Sequence, residues 1–195
     1  MTEPKVELLI RPDRAAVSTL LSEAFADDPA YDYFLQGCTS AEQDYYRARL
    51  IRFIVDYHCD AGMPVWGMIR HGNLVACALV EEPIPTWRRA LAVLRHLPAL
   101  VGRVPWGSFQ RMNQYARTSR QGLSPSIQYY LVKIGVASNQ QGHGLGKTLI
   151  KALVTHYCRD DQVLALDTEN PNNVPLYQHL GFHLHDEIRL DSLPV

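Results

Sequence analysis

The chain has 195 residues, 47% of them hydrophobic and 20% charged, with a formal net charge of −1. That length suits one well-buried core, and a charge this small sets up no global field for nucleic acid or an anionic membrane. No apolar run approaches the roughly 20 residues that cross a bilayer, the N-terminus is polar with no apolar h-region of a secretory signal behind it, and Cys38, Cys59, Cys77 and Cys158 are scattered as in a reducing compartment. The expectation is one cytoplasmic domain over residues 1–195, with no nucleic-acid or membrane partner.

In chain order, residues 6–10 read as a first strand, followed by a helix carrying Ala16, Leu20, Leu21, Ala24 and Phe25 at helical spacing. Asp27-Asp28-Pro29 breaks that helix, and a short aromatic segment covers 31–35. Residues 41–59 form a second amphipathic helix, with Tyr45, Arg49, Phe53 and Tyr57 repeating every four. Strands at 65–69 and 74–80 flank Arg70-His71-Gly72-Asn73, which is a hairpin signal.

Between 83 and 128 the texture changes. Ala90, Leu91, Leu94, Leu97 and Val101 form a helical stripe broken at Pro98, and 106–120 suggests another helix. Seven arginines (Arg88, Arg89, Arg95, Arg103, Arg111, Arg117, Arg120) and no acidic residue fall in this stretch. It reads as a helical insertion (about 83–127) without enough apolar mass for its own core. Its roles are an amphipathic lid, a pocket for a carboxylate-bearing acceptor, or nucleic-acid contact, which the overall charge disfavours. Trp87, Trp106, Phe109 and Tyr115, with Trp66, are equally pocket-lining or core aromatics.

Regular structure resumes with a strand at 127–137, a helix at 144–157, a strand at 163–167, a short helix at 172–180 and a strand at 182–190. Strand, glycine turn, helix and strand make a βαβ unit, so these strands pair in parallel while the earlier hairpin is antiparallel. The fold class is α/β, or α+β under stricter naming.

The turn Gln141-Gly142-His143-Gly144-Leu145-Gly146 enters a helix, where unpaired backbone amides and the positive end of the helix dipole favour phosphate. A nucleoside-triphosphatase loop fits Gly146-Lys147-Thr148 but requires glycine where Gln141 stands. A dinucleotide G-x-G-x-x-G fails at its third glycine, where Lys147 or Leu149 falls. A third reading, a coenzyme A pyrophosphate site, rests on a family resemblance.

Gln141-x-x-Gly144-x-Gly146 after a strand resembles the Q/R-x-x-G-x-G/A element of the GNAT acetyltransferase superfamily. Asn170-Pro171-Asn172-Asn173-Val174-Pro175-Leu176-Tyr177 running into Gly181-Phe182 resembles its later element. The specific likeness covers 129–185, with the cofactor-binding core at about 128–185, and the Arg-rich insertion is similar to the puromycin-acetyltransferase-like branch. The resemblance implies a mixed, mostly antiparallel central sheet flanked by helices. It also implies acetyl-CoA as co-substrate and acetyl transfer to a small-molecule amine by direct attack in a ternary complex. The alternatives are a catalytically silent acyl-CoA-binding module and a protein N-terminal or lysine acetyltransferase.

The same resemblance assigns the pyrophosphate to the backbone amides around Gly142, His143, Gly144, Leu145, Gly146 and Lys147, with Gln141 shaping this cofactor-binding turn. It gives the pantetheine arm to the strand edge at Ile134 and Val136 and to Asn170 and Asn173. Tyr177 is the candidate acid for the departing thiolate, beside the cofactor. Glu81, Glu82, Asp167, Glu169 or a water chain stand open as the base. His183 and His185 lack a third ligand at recognisable spacing, so no metal is expected. The resemblance implies a further strand after Leu190, and the expectation is that it is either missing or supplied by a partner chain in a homodimer.

Overall fold

The computed structural model describes residues 4–120, 127–190 and 193–194. The expected insertion and the chain end therefore fall partly (121–126, 191–192 and 195) outside the described residues. Five strands form one sheet in chain order: β1 (Val6–Leu8), β2 (Val65–Arg70), β3 (Asn73–Glu81), β4 (Ile127–Val136) and β5 (Val163–Ala165). The first four pair antiparallel and β5 pairs parallel to β4.

The β2–β3 hairpin turns on His71 and Gly72, both at positive φ (51° and 78°). Two left-handed central residues give the turn a twist that matches its strands. β3 is the middle of the sheet, and its side chains alternate between two cores. Cys77 and Leu79 face a cluster with Val17, Leu21, Leu50 and Val55. Ala76, Ala78 and Val80 face another with Leu145, Leu149, Leu153 and Leu164.

The first cluster is built by α1 (Arg14–Ala24), α2 (Pro29–Phe34) and α3 (Ser40–Asp60). Asp13 caps α1 through Ala15 and Ala16 N–H, and Asp28 caps α2 through Ala30 N–H, with Pro29 at its first turn. Thr39 and Glu42 form a reciprocal capping box that starts α3. On the other face lies α6 (Leu145–Tyr157), whose buried stripe is Leu145, Leu149, Ile150, Leu153 and Tyr157. Trp66 Nε1–H donates to Tyr157 Oη at 3.0 Å, and Tyr157 donates to Glu82 at 2.9 Å.

The insertion is the connection between β3 and β4, with α4 (Thr86–His96) and α5 (Trp106–Thr118). Its arginines are mostly clamps. Arg89 and Arg120 hold the two carboxylate oxygens of Glu81, and Arg95 reaches Asp60 at 3.2 Å. Arg111 donates to the Phe34 carbonyl at 2.9 and 3.1 Å. Most of the α4 stripe faces outward, with Trp87, Leu91 and Leu94 exposed while small Ala92 is buried.

The expected strand at 182–190 is corrected. Residues 182–188 have no regular structure, so His183 and His185 do not share a strand face. Only Arg189–Leu190 (β6) pairs, with Leu193–Pro194 (β7), and Leu190 and Leu193 pack into the first core cluster. A strand there needs a neighbouring edge of comparable length, and β5 offers three residues, while Asp186 interrupts the apolar alternation of Phe182, Leu184, Ile188 and Leu190. The last helix is likewise shorter than expected, a 3₁₀ turn at Pro171–Asn173 followed by α7 (Val174–His179).

Candidate active site

β4 and β5 share a short register that ends at Tyr130 opposite Ala165, after which β4 runs on to Val136 beside β3 alone. Ala137 N–H goes to the Val75 carbonyl. Alternation along an antiparallel strand then turns the backbone groups of Ile134 and Val136 to the opposite edge. That edge has no strand neighbour among the described residues. Where the strands part there is a cavity of about 400 Å³, lined by β4 (131–134), the chain after β5 (166–170), the α1–α2 corner and Tyr177.

Five of the residues expected from sequence line that cavity together: Ile134, Gln141, Asn170, Asn173 and Tyr177. Gln141 also bridges back, its Nε2 donating to the Val136 carbonyl at 3.3 Å. Beyond it the glycine turn is exposed, with Gly142 at φ 77° and Gly144, the residue before α6, at φ 76°. Only glycine holds that conformation without strain. The first helical bond of α6 runs from Thr148 N–H to the Gly144 carbonyl, so the amides of Leu145, Gly146 and Lys147 precede the ladder. His143 folds back on its own turn, Nδ1 lying 2.9 Å from the Gln141 carbonyl. The Leu145 side chain is buried in the core and offers the turn only its backbone.

The floor of the cavity is charged. Glu169 is 6% exposed. The Tyr115 hydroxyl, from the insertion, lies within hydrogen-bond reach of both Asp167 and Glu169 and donates to one of them at a time. Tyr130 hydrogen-bonds Asp167 as well. Lys133 Nζ lies 4.4 Å from the Phe25 ring centre and 5.4 Å from that of Tyr31. Burial works against its charge, but Tyr31 and the carboxylates of Glu169, Asp28 and Asp167 outweigh burial and raise its pKa. Burial raises the pKa of Glu169 and of Asp28, with Lys133 opposing in both. Tyr177 is pushed up to about 12 by burial and by the nearby Glu169 and Asp167, so its phenol keeps its proton.

The Acetyltransferase (GNAT) family model matches residues 28–182. The chain belongs to the GNAT acetyltransferase family. Acetyl transfer is that family's general activity, and its members generally use acetyl-CoA. Among solved structures, this GNAT chain is similar to a histone-acetyltransferase-related acetyltransferase from Corynebacterium glutamicum, with TM-score 0.67 at 20% identity, covering 98% of this chain and 91% of the other. It is also similar to an agmatine N-acetyltransferase variant (TM-score 0.58, 15% identity, 98% and 90% covered). An N-acetyltransferase from Staphylococcus aureus is a third (TM-score 0.55, 14% identity, 97% and 96% covered). At these identities the likeness is one of fold.

Within this GNAT fold the four strand-end carboxylates separate into two kinds. Glu81 is gripped by Arg89 and Arg120, and Glu82 accepts from Tyr157, so both are engaged away from the cavity, while Asp167 and Glu169 line it. Sequence reasoning did not single out Lys133 for the site. Its signal was a lone lysine in the run Tyr129-Tyr130-Leu131-Val132-Lys133-Ile134. Of the insertion aromatics, Tyr115 reaches the site, Phe109 packs against the first core, and Trp87 and Trp106 are exposed.

Proposed function

We propose that this protein is an N-acetyltransferase that moves an acetyl group from acetyl-CoA to a primary amine of a small molecule, by direct attack in a ternary complex. The observation that carries this reading is the open β4 edge at Ile134 and Val136, continuous through Gln141 with the left-handed glycine turn. An extended amide-bearing chain fits the strand edge and a pyrophosphate fits the amides that open α6. Acetyl-CoA supplies the acetyl group as a thioester.

The protein's own residues supply position and protons. Ile134 and Val136 present backbone donors and acceptors along the edge, and Asn170 and Asn173 stand at the same cavity. Tyr177, held protonated, is placed to hand a proton to the departing thiolate. The cavity of about 400 Å³ suits a compact acceptor.

Calorimetric titration with acetyl-CoA tests the reading. Micromolar binding that Gly144→Glu abolishes, with circular dichroism unchanged, is the expected result. A folded wild-type protein that does not bind acetyl-CoA overturns it.

A further inference from the structure

The insertion sends one side chain to two of the carboxylates that line the cavity. The Tyr115 hydroxyl contacts both Asp167 and Glu169, residues that follow β5, although Tyr115 itself sits on α5. A phenol has one proton to donate, so it satisfies one carboxylate at a time. Among the described residues Asp167 has two phenol partners, Tyr115 and Tyr130, and Glu169 has Tyr115. Glu169 is therefore the less heavily hydrogen-bonded of the two carboxylates among the described contacts.

The charge count points the same way. Asp167 and Glu169 carry two negative charges against the one positive charge of Lys133, and Glu23, Asp27 and Asp28 add further carboxylates to the walls. A cation docked in this cavity offsets that excess, and an anionic acceptor adds to it. The insertion's arginines do not reverse the balance, because Arg89 and Arg120 are committed to Glu81 and Arg111 to the Phe34 carbonyl.

We propose that Tyr115 is a positioning residue whose hydroxyl, shared between Asp167 and Glu169, holds the two carboxylates side by side, and that this pair docks the acceptor's ammonium group while Glu169 takes its proton. The proposal rests on the acetyl-transfer reading above. One N–H bond of R–NH3+ breaks and its electron pair stays on nitrogen. The proton joins a Glu169 oxygen, leaving R–NH2 free to attack and a neutral carboxyl that later returns the proton to water. The groups facing Glu169 are Lys133 and Tyr130 on β4, Asp167 after β5, Asp28 and Tyr31 at the α2 corner, Tyr115 on α5 and Tyr177 on α7.

The test measures acetyl-CoA-dependent thiol release with 1,4-diaminobutane between pH 6 and pH 10, together with calorimetric acetyl-CoA affinity. Wild type is expected to show an acidic limb in kcat/KM. Glu169→Gln removes that limb and lowers kcat/KM about 100-fold. Tyr115→Phe, which keeps the ring but removes a hydrogen bond that favours the carboxylate, moves the limb upward by about one pH unit with acetyl-CoA affinity unchanged. Carbon-13 carboxyl titration of the unliganded protein reads the same pair without turnover: the Glu169 resonance titrates above a free glutamate and rises further in Tyr115→Phe. An acidic limb unmoved by both substitutions, or a Glu169 that titrates as a free glutamate in both proteins, overturns the assignment. Acetyl-CoA binding without turnover of the diamine overturns the cationic docking alone. Absence of acetyl-CoA binding to wild type instead refutes the acetyl-transfer reading beneath it.

Discussion

Arg120 Nη2 stands 2.6 Å from Glu81 Oε2, and Arg89, from the other end of the insertion, holds the second oxygen. One carboxylate at the end of β3 thus fastens both ends of the helical connection. Glu81 is nearly buried, while Arg89 and Arg120 are about a third and a half exposed, so water screens part of the attraction. Glu81→Gln is expected to lower stability by about 1 to 2 kcal/mol in urea denaturation. Acetyl-CoA affinity should not change, because Glu81 lies away from the cavity.

His58 sets a pH dependence of folding. It is 1% exposed, its Nε2 sits 2.9 Å from the Pro64 carbonyl, and burial lowers its pKa from 6.5 to about 4. Between those values the unfolded chain takes up a proton that the folded chain refuses. Its contribution is therefore fully present above pH 6.5 and is lost as pH falls toward 4, by about 3 kcal/mol in total. Urea midpoints measured from pH 7 to pH 4.5 should fall more steeply for wild type than for His58→Gln; parallel curves would contradict this.

Gly135 is where α1 meets the sheet. A Cβ there would stand 3.0 Å from Ala24, Leu20 and Leu21 side-chain atoms at once. Three contacts of that length leave no side to relax toward, so Gly135→Ala is expected to cost about 1 to 3 kcal/mol despite the alanine's better strand propensity. Thermal melts would detect a loss of this size, and an unchanged melting temperature would mean that α1 shifts freely.

The Tyr177 phenol makes an edge contact with Phe182 at 5.8 Å and lines the cavity. Tyr177→Phe keeps that contact and removes only the proton donor. A fall in kcat of about 10- to 100-fold with acetyl-CoA affinity retained is expected. Since its pKa is about 12, Tyr177 contributes no basic limb to the rate profile below pH 10. Equal turnover by the two proteins would remove Tyr177 from proton transfer.

Local signals carried most of the fold. The β2–β3 turn, the break at Asp27-Asp28-Pro29 and the glycine turn before α6 were all legible, because each depends on a few neighbouring residues. The tail was misread because a strand pattern at 182–190 says nothing about whether an edge awaits it. At the site, sequence singled out Ile134, Gln141, Asn170, Asn173 and Tyr177, which the fold does gather. It left four carboxylates level, since only the arginines of the insertion and the Tyr157 hydroxyl distinguish Glu81 and Glu82 from Asp167 and Glu169. Those contacts span 39 and 75 residues for Arg120–Glu81 and Tyr157–Glu82, and no periodicity reports them.

Glu81 and Tyr130 are opposite each other in the β3–β4 register, so the entire insertion departs from and returns to adjacent points of one ladder. In topological terms it is an overgrown hairpin loop. Such a loop is free to change length and content without disturbing strand order, while the β4 edge and the turn before α6 stay where they are. Since this loop also supplies Tyr115, a chain could exchange one such connection for another, and with it the side chain that meets Asp167 and Glu169, while the sheet and the glycine turn are kept.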